Sequence, residues 1–166
     1  MENYNELENI LQEELPKSSK LAKILNYIME FCEVPKEAYI ILGSYAIRDY
    51  REISDLDVDM CQNYFPNLES CKLGNVSLRG LEYVWAFNQI YNGESYIIEV
   101  YSTDPFINFP NNYFSIANLI NVNALQKDMF NQNYYKLETL LKWKEIVYRE
   151  KDKKDIELIK KILNLN

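Results

Sequence analysis

Residues 41–60 read ILGSYAIRDYREISDLDVDM. The apolar run from Ala38 to Leu42 leads into this stretch and predicts a short buried strand. Gly43-Ser44 turns the chain at its end, and Tyr45 to Tyr50 follows as a short helix. From Ser54 to Met60 the residues alternate. Leu56, Val58 and Met60 face one way, and Asp55, Asp57 and Asp59 face the other. Like charges at every second position of one strand repel, so the pattern asks for something that compensates them. Asp55 and Asp57 have Cα atoms roughly 6.5–7 Å apart on such a strand and can aim at one point above the sheet. A divalent cation at that point turns repulsion into coordination, and hard oxygen ligands suit Mg²⁺ or Mn²⁺.

Outward from this stretch, Leu7, Ile10, Leu11 and Leu15 recur at helical spacing before Pro16. A second helix carries Leu21, Ile24, Leu25, Ile28 and Met29 on one face, with Ser18 and Ser19 as cap candidates and Pro35 beyond its end. Residues 61–74 are polar and poorly patterned, and 75–80 predict a strand. Residues 81–91 and 94–103 are rich in aromatic and β-branched side chains. Asn92-Gly93 between them favours a two-residue type I′ turn, so the pair predicts a hairpin. Pro105 and Pro110 bracket a loop. From about Asn133 onward the spacing predicts helix, begun by Leu137, Leu140 and Leu141 and completed by Ile156, Ile159, Ile162 and Leu163. Its charged middle reads as a solvated face. Together these elements predict an α+β fold, a small mixed β-sheet with flanking helices.

Glu99 is a charge inside the otherwise apolar and aromatic run Ser95-Tyr96-Ile97-Ile98-Glu99-Val100-Tyr101. It is the candidate third carboxylate, with Glu94 and Asp104 as alternatives at the strand ends. Asp59 reads as a solvated strand end or an accessory ligand. The aromatics Tyr83, Trp85, Phe87, Tyr91, Tyr96 and Tyr101 predict mainly packing, with enough of them to stack a base.

Composition prunes the chemistry. The chain has 166 residues, one domain's worth, and no histidine, which excludes Ser-His-Asp triads and His-ligated zinc. Cys32, Cys61 and Cys71 are odd in number and contain no C-x-x-C pair, so free thiols in a reducing compartment are expected. The net charge of −7 disfavours tight non-specific nucleic-acid binding. No apolar run approaches the roughly 20 residues of a membrane span, and the N-terminus is acidic where a signal peptide is basic; a cytoplasmic location is expected.

Gly43-Ser44, then Ser54-Asp55-Leu56-Asp57-Val58, resembles the signature of the DNA polymerase β-like nucleotidyltransferase superfamily. Arg51 is similar to the arginine that precedes the Asp-x-Asp pair in AbiEii-type toxins and related minimal nucleotidyltransferases. Leu141-Lys142-Trp143-Lys144 followed by Arg149-Glu150-Lys151-Asp152-Lys153-Lys154-Asp155-Ile156 resembles their C-terminal lysine and K-D-x-x-D region. Where such forms usually have a glycine this chain has Arg48 or Asp49, and Ile53 stands where they have serine or threonine.

The resemblance implies one nucleotidyltransferase domain over residues 1–166, with N-terminal helices over 1–34, a catalytic sheet over 37–104 and a C-terminal helical region over 113–166. It implies two Mg²⁺ or Mn²⁺ ions on Asp55, Asp57 and Glu99 as catalytic and metal-binding residues. Gly43, Ser44, Arg51 and Lys144 would contact the nucleotide. The implied reaction moves an NMP from an NTP such as ATP to a hydroxyl acceptor and releases pyrophosphate. A small molecule, a protein side chain or an RNA 3′ end could supply the hydroxyl, presented by a second copy or a partner protein rather than by a membrane. The alternative expectation is an inactive nucleotide-binding or interaction module, antitoxin-like, that keeps the fold.

Overall fold

The computed structural model describes residues 2–80, 82–103 and 116–165. The alternation around Asp57 becomes strand β2 (Asp55–Cys61), whose side chains are half-buried and buried in turn. The apolar run before Gly43 becomes β1 (Tyr39–Ile41), fully buried and antiparallel to β2, with Ile41 opposite Val58. On the other side β2 pairs in parallel with β5 (Glu94–Thr103), setting Asp57 opposite Glu99. β5 forms a hairpin with β4 (Glu82–Tyr91) through Asn92 and Gly93. Both turn residues have positive φ, 51° and 76°, as a type I′ turn requires. β3 (Asn75–Arg79) forms the outer edge beyond β4.

Two further strands, β6 (Leu125–Lys127) and β7 (Asn133–Tyr135), add to β1 from the far side, giving the order β3-β4-β5-β2-β1-β7-β6. The α+β class holds, with a sheet larger than expected. The helix predicted from Asn133 starts only at Leu137, because Asn133–Tyr135 form a strand. At three residues each, β6 and β7 are too short to show a period. Tyr134 and Tyr135 within β7 are both buried and give no alternation.

Helices cover the sheet unequally. α1 (Glu2–Gln12), α2 (Lys17–Phe31) and α3 (Phe65–Cys71) share one core with Leu56, Val58 and Met60 of β2 and Ile98 and Val100 of β5. α2 begins directly after Pro16 without a side-chain cap, so Ser18 and Ser19 lie inside its first turn instead of capping it. α3 occupies the stretch read as unpatterned. Seven residues with a proline in the first turn are too few to show periodicity. α4 (Ile116–Asn121) lies between β5 and β6 in sequence. α5 (Leu137–Val147) and α6 (Lys153–Ile162) build a second core on Ile40, Leu125 and Tyr135, over the β1, β7 and β6 part of the opposite face. The Asp side chains of β2 belong to that opposite face, since Ile40 is the register partner of Asp59. No helix of the described residues is long and apolar enough to cross a membrane. Pro105, Pro110 and Asp104 lie outside the described residues.

The cysteines depart from expectation. Cys32 at the end of α2 is bonded to Cys71 at the end of α3, and Cys61 is the free thiol. Their Cα atoms are 5.9 Å apart, within the usual disulfide range, across a separation of 39 residues that no spacing rule could pair. In denaturant without reductant, a thiol reagent should label one cysteine per chain, and three after reduction. Reduction should lower stability by about 2–4 kcal/mol, read from urea midpoints.

Candidate functional site

Strand geometry brings three acids together. Asp57 and Glu99 are register partners on parallel strands, and Asp55 stands two residues up the same face of β2. One carboxylate oxygen from each of Asp55, Asp57 and Glu99 lies within 4.8 Å of the other two. Burial, then the charges of Asp55 and Glu99, push the Asp57 carboxyl up to about 6, while the charges of Lys151 and Arg149 act against that rise. Three hard oxygens at this spacing, one of them raised above the usual carboxylate range by burial and by its two acidic neighbours, suit a divalent cation.

Neighbouring groups orient the acids. Ser54 donates its hydroxyl to Asp55 Oδ1 at 2.7 Å. Glu99 accepts from the Tyr101 hydroxyl at 3.3 Å and forms an ion pair with Arg79 of β3. Burial and the charges of Asp57 and Glu99 push the Tyr101 phenol up to about 12, so it stays a neutral donor. Of the alternatives for the third ligand, Glu94 sits at the hairpin turn and pairs with Lys17 at 3.6 Å. Asp59 lies opposite Ile40 and Tyr101, where its charge helps raise the Tyr135 phenol, and it is not part of the cluster.

The turn after β1 is held by a chain of charges. Gly43 has φ +62° and no heavy atom within 4 Å of where a Cβ would sit, so the backbone there is open to close approach. A 3₁₀ turn, Gly43–Ile47, takes the place of the expected helix. Ser44 accepts from Arg51 Nη2 at 2.6 Å and donates to Asp155 Oδ2 at 3.3 Å. Arg51 grips Asp155 with Nε and Nη2, both at 2.8 Å. Lys144 is 2% exposed, with Asp152 at 2.9 Å and Asp155 at 3.2 Å. Arg149 completes the set, donating to both Asp152 oxygens and lying over the Trp143 ring.

Most of the charged middle of the C-terminal region is solvated as expected, Lys142, Arg149, Lys151, Lys153 and Lys154 among it, but Lys144, Asp152 and Asp155 are buried. α5 ends at Tyr148 in the left-handed region, a 3₁₀ turn spans Glu150–Asp152, and α6 restarts at Lys153. That break turns Asp152 and Asp155 inward onto Lys144. Of the residues expected to meet nucleotide, Ser44, Arg51 and Lys144 form one bonded network with Asp155. The aromatics divide: Trp85, Phe87 and Tyr96 are core, Tyr83 is exposed, and Tyr101 serves Glu99. Arg79 was not singled out by sequence reasoning. Nothing in the chain marks it, because its role depends on β3 pairing with β4 and β4 with β5.

Comparison with protein-family models, with characterised proteins and with solved structures finds no match to this chain.

Proposed function

We propose that the chain is a metal-dependent nucleotidyltransferase that moves an NMP from an NTP to a hydroxyl acceptor. What carries this reading is the convergence of Asp55, Asp57 and Glu99, with Leu42, the residue before the open Gly43-Ser44 turn, donating its N–H to the Asp57 carbonyl at 2.7 Å. Asp55, Asp57 and Glu99 would hold two Mg²⁺ or Mn²⁺ ions. Bound cations supply Lewis acidity toward an α-phosphate and neutralise departing pyrophosphate. The protein's own residues position the reactants: Ser54 aims Asp55, and Tyr101 steadies Glu99. Arg51 and Asp155 hold Ser44 in place, and the Ser44 hydroxyl would exchange its bond to Asp155 for one to a phosphate oxygen. No histidine is required. A cytoplasmic setting, with its NTP supply, suits the reaction.

One observation favours a second reading, a nucleotide-binding or antitoxin-like module without transfer activity. Ser44, Arg51 and Lys144, the groups expected at the phosphates, are already engaged with carboxylates or with each other. Incubation with each α-labelled NTP, Mg²⁺ or Mn²⁺ and cell extract separates the two. The enzyme should transfer label, and an Asp55→Ala/Asp57→Ala chain should not. Equal labelling by both proteins, or none by either, removes the catalytic reading.

A further inference from the structure

Arg79 sits on the edge strand β3, and its guanidinium is paired with Glu99, one of the three clustered acids. The two partners differ in setting. The Arg79 side chain is 52% exposed and that of Glu99 is 18% exposed. Among the described residues, Arg79 is the one basic side chain in direct contact with the cluster, since the carboxylates of Asp55 and Asp57 have no ion pair with lysine or arginine. A guanidinium and a divalent cation both seek the same acidic oxygens, and they repel each other at close range.

We propose that Arg79 is a resident counter-cation of this cluster, which competes with a divalent cation for Glu99 and thereby sets the cluster's cation affinity. The inference rests on the metal reading above and adds a residue that reading does not use. The exchange asks little of the fold. Arg79 is half in solvent already, so it can leave Glu99 without uncovering core. Tyr101 stays on Glu99 and keeps its orientation while the arginine departs. Arg79 also screens the cluster in cation-free buffer, relieving part of the repulsion among three acids packed within 4.8 Å.

The test is a titration of the full chain with Mn²⁺, followed by calorimetry and by loss of the free-ion electron-spin signal. Arg79→Gln should tighten Mn²⁺ binding roughly threefold to tenfold, the size of one partly exposed charge at close range. It should also lower the melting temperature in chelator while enlarging the rise that Mn²⁺ produces. Arg79→Lys, which keeps the charge, should bind Mn²⁺ nearly as the natural chain does. A merely structural arginine would lower the melting temperature without tightening the ion, and unchanged or weaker binding by Arg79→Gln overturns the inference while the metal site stands. No Mn²⁺ uptake by either chain, with Asp57→Asn indistinguishable from both, overturns the inference together with the metal reading.

Discussion

Asp57→Asn should cut label transfer severely and, in cation-free buffer at pH 8, make the protein more stable. Asp57 is held up to about 6 by burial and by Asp55 and Glu99, against about 3.8 in the unfolded chain. A carboxyl raised on folding contributes stability below its unfolded value, and that contribution disappears as pH rises through the folded one. Between pH 4 and pH 6 the folded chain binds the proton that the unfolded chain has released. Above pH 6 the native state carries a charge it resists. The shift corresponds to about 2–3 kcal/mol. Neutral asparagine escapes that cost, so its melting temperature should exceed the natural chain's by roughly 4–8 °C at pH 8. The gap should narrow as pH falls from 6 to 4, and the two should nearly coincide only below about pH 4, where both states of the natural chain are protonated. Adding Mg²⁺ should raise the natural chain and leave the variant almost unmoved. Activity should fall by roughly a hundredfold to a thousandfold or more, because charge stabilisation at the phosphate is lost with the ligand. A variant that melts below the natural chain at pH 8 would mean that Asp57 is a structural anchor instead. Stability gained with function lost is the usual mark of a site shaped for its ligand.

The opposite outcome is expected at Asp152. Asp152→Ala should destabilise the fold by about 3–5 kcal/mol, because Lys144 stays buried with one of its two carboxylates gone. In a chain of this size that lowers the melting temperature by roughly 10 °C. Burial alone would raise the Asp152 carboxyl, but hydrogen bonds and charge from Arg149 and Lys144 outweigh it and hold the group at about 2. Asp155, buried as well, is drawn down by Arg51 and Lys144. Depressed carboxyls contribute stability above their unfolded value and lose it as pH falls toward the folded one. The natural chain should therefore weaken between about pH 4 and pH 2, and Asp152→Ala should lose less over that window. Removing the lysine too, as Lys144→Met with Asp152→Ala, should recover part of the loss, since the underpaired ammonium is gone and buried Asp155 keeps its two bonds from Arg51. Urea midpoints across this pH range check all three expectations. An Asp152→Ala chain as stable as the natural one would show that the network is decorative.

The sequence made β2, β1 and the β4–β5 hairpin legible because each carries a local signal: strict alternation, an unbroken apolar run, and Asn-Gly between aromatic runs. Asp55, Asp57 and Glu99 were readable together because two are local neighbours and the third is a charge out of place in its strand. The parallel register that sets Glu99 opposite Asp57 was not readable, for it arises from sheet closure across some forty residues. β6 and β7 were missed because three-residue strands have no period. The inward turn of Asp152 and Asp155 was missed because an i, i+3 and i+4 pattern of mixed charge looks alike on a solvated helix and on a broken one. The Cys32–Cys71 bond was misread for a related reason: pairing depends on where two helix ends meet, and residue spacing carries no trace of that. The bond also removes the free-thiol argument for a reducing compartment.

Anomalous scattering from crystals grown with Mn²⁺ and a non-hydrolysable NTP bears most directly on the claim that these acids form a cation centre for phosphoryl chemistry. The expected map has its strongest peak among the carboxylates of Asp55, Asp57 and Glu99, with a triphosphate reaching back to Gly43 and Ser44. A map with no manganese at that cluster, or with nucleotide bound far from it, would contradict the account.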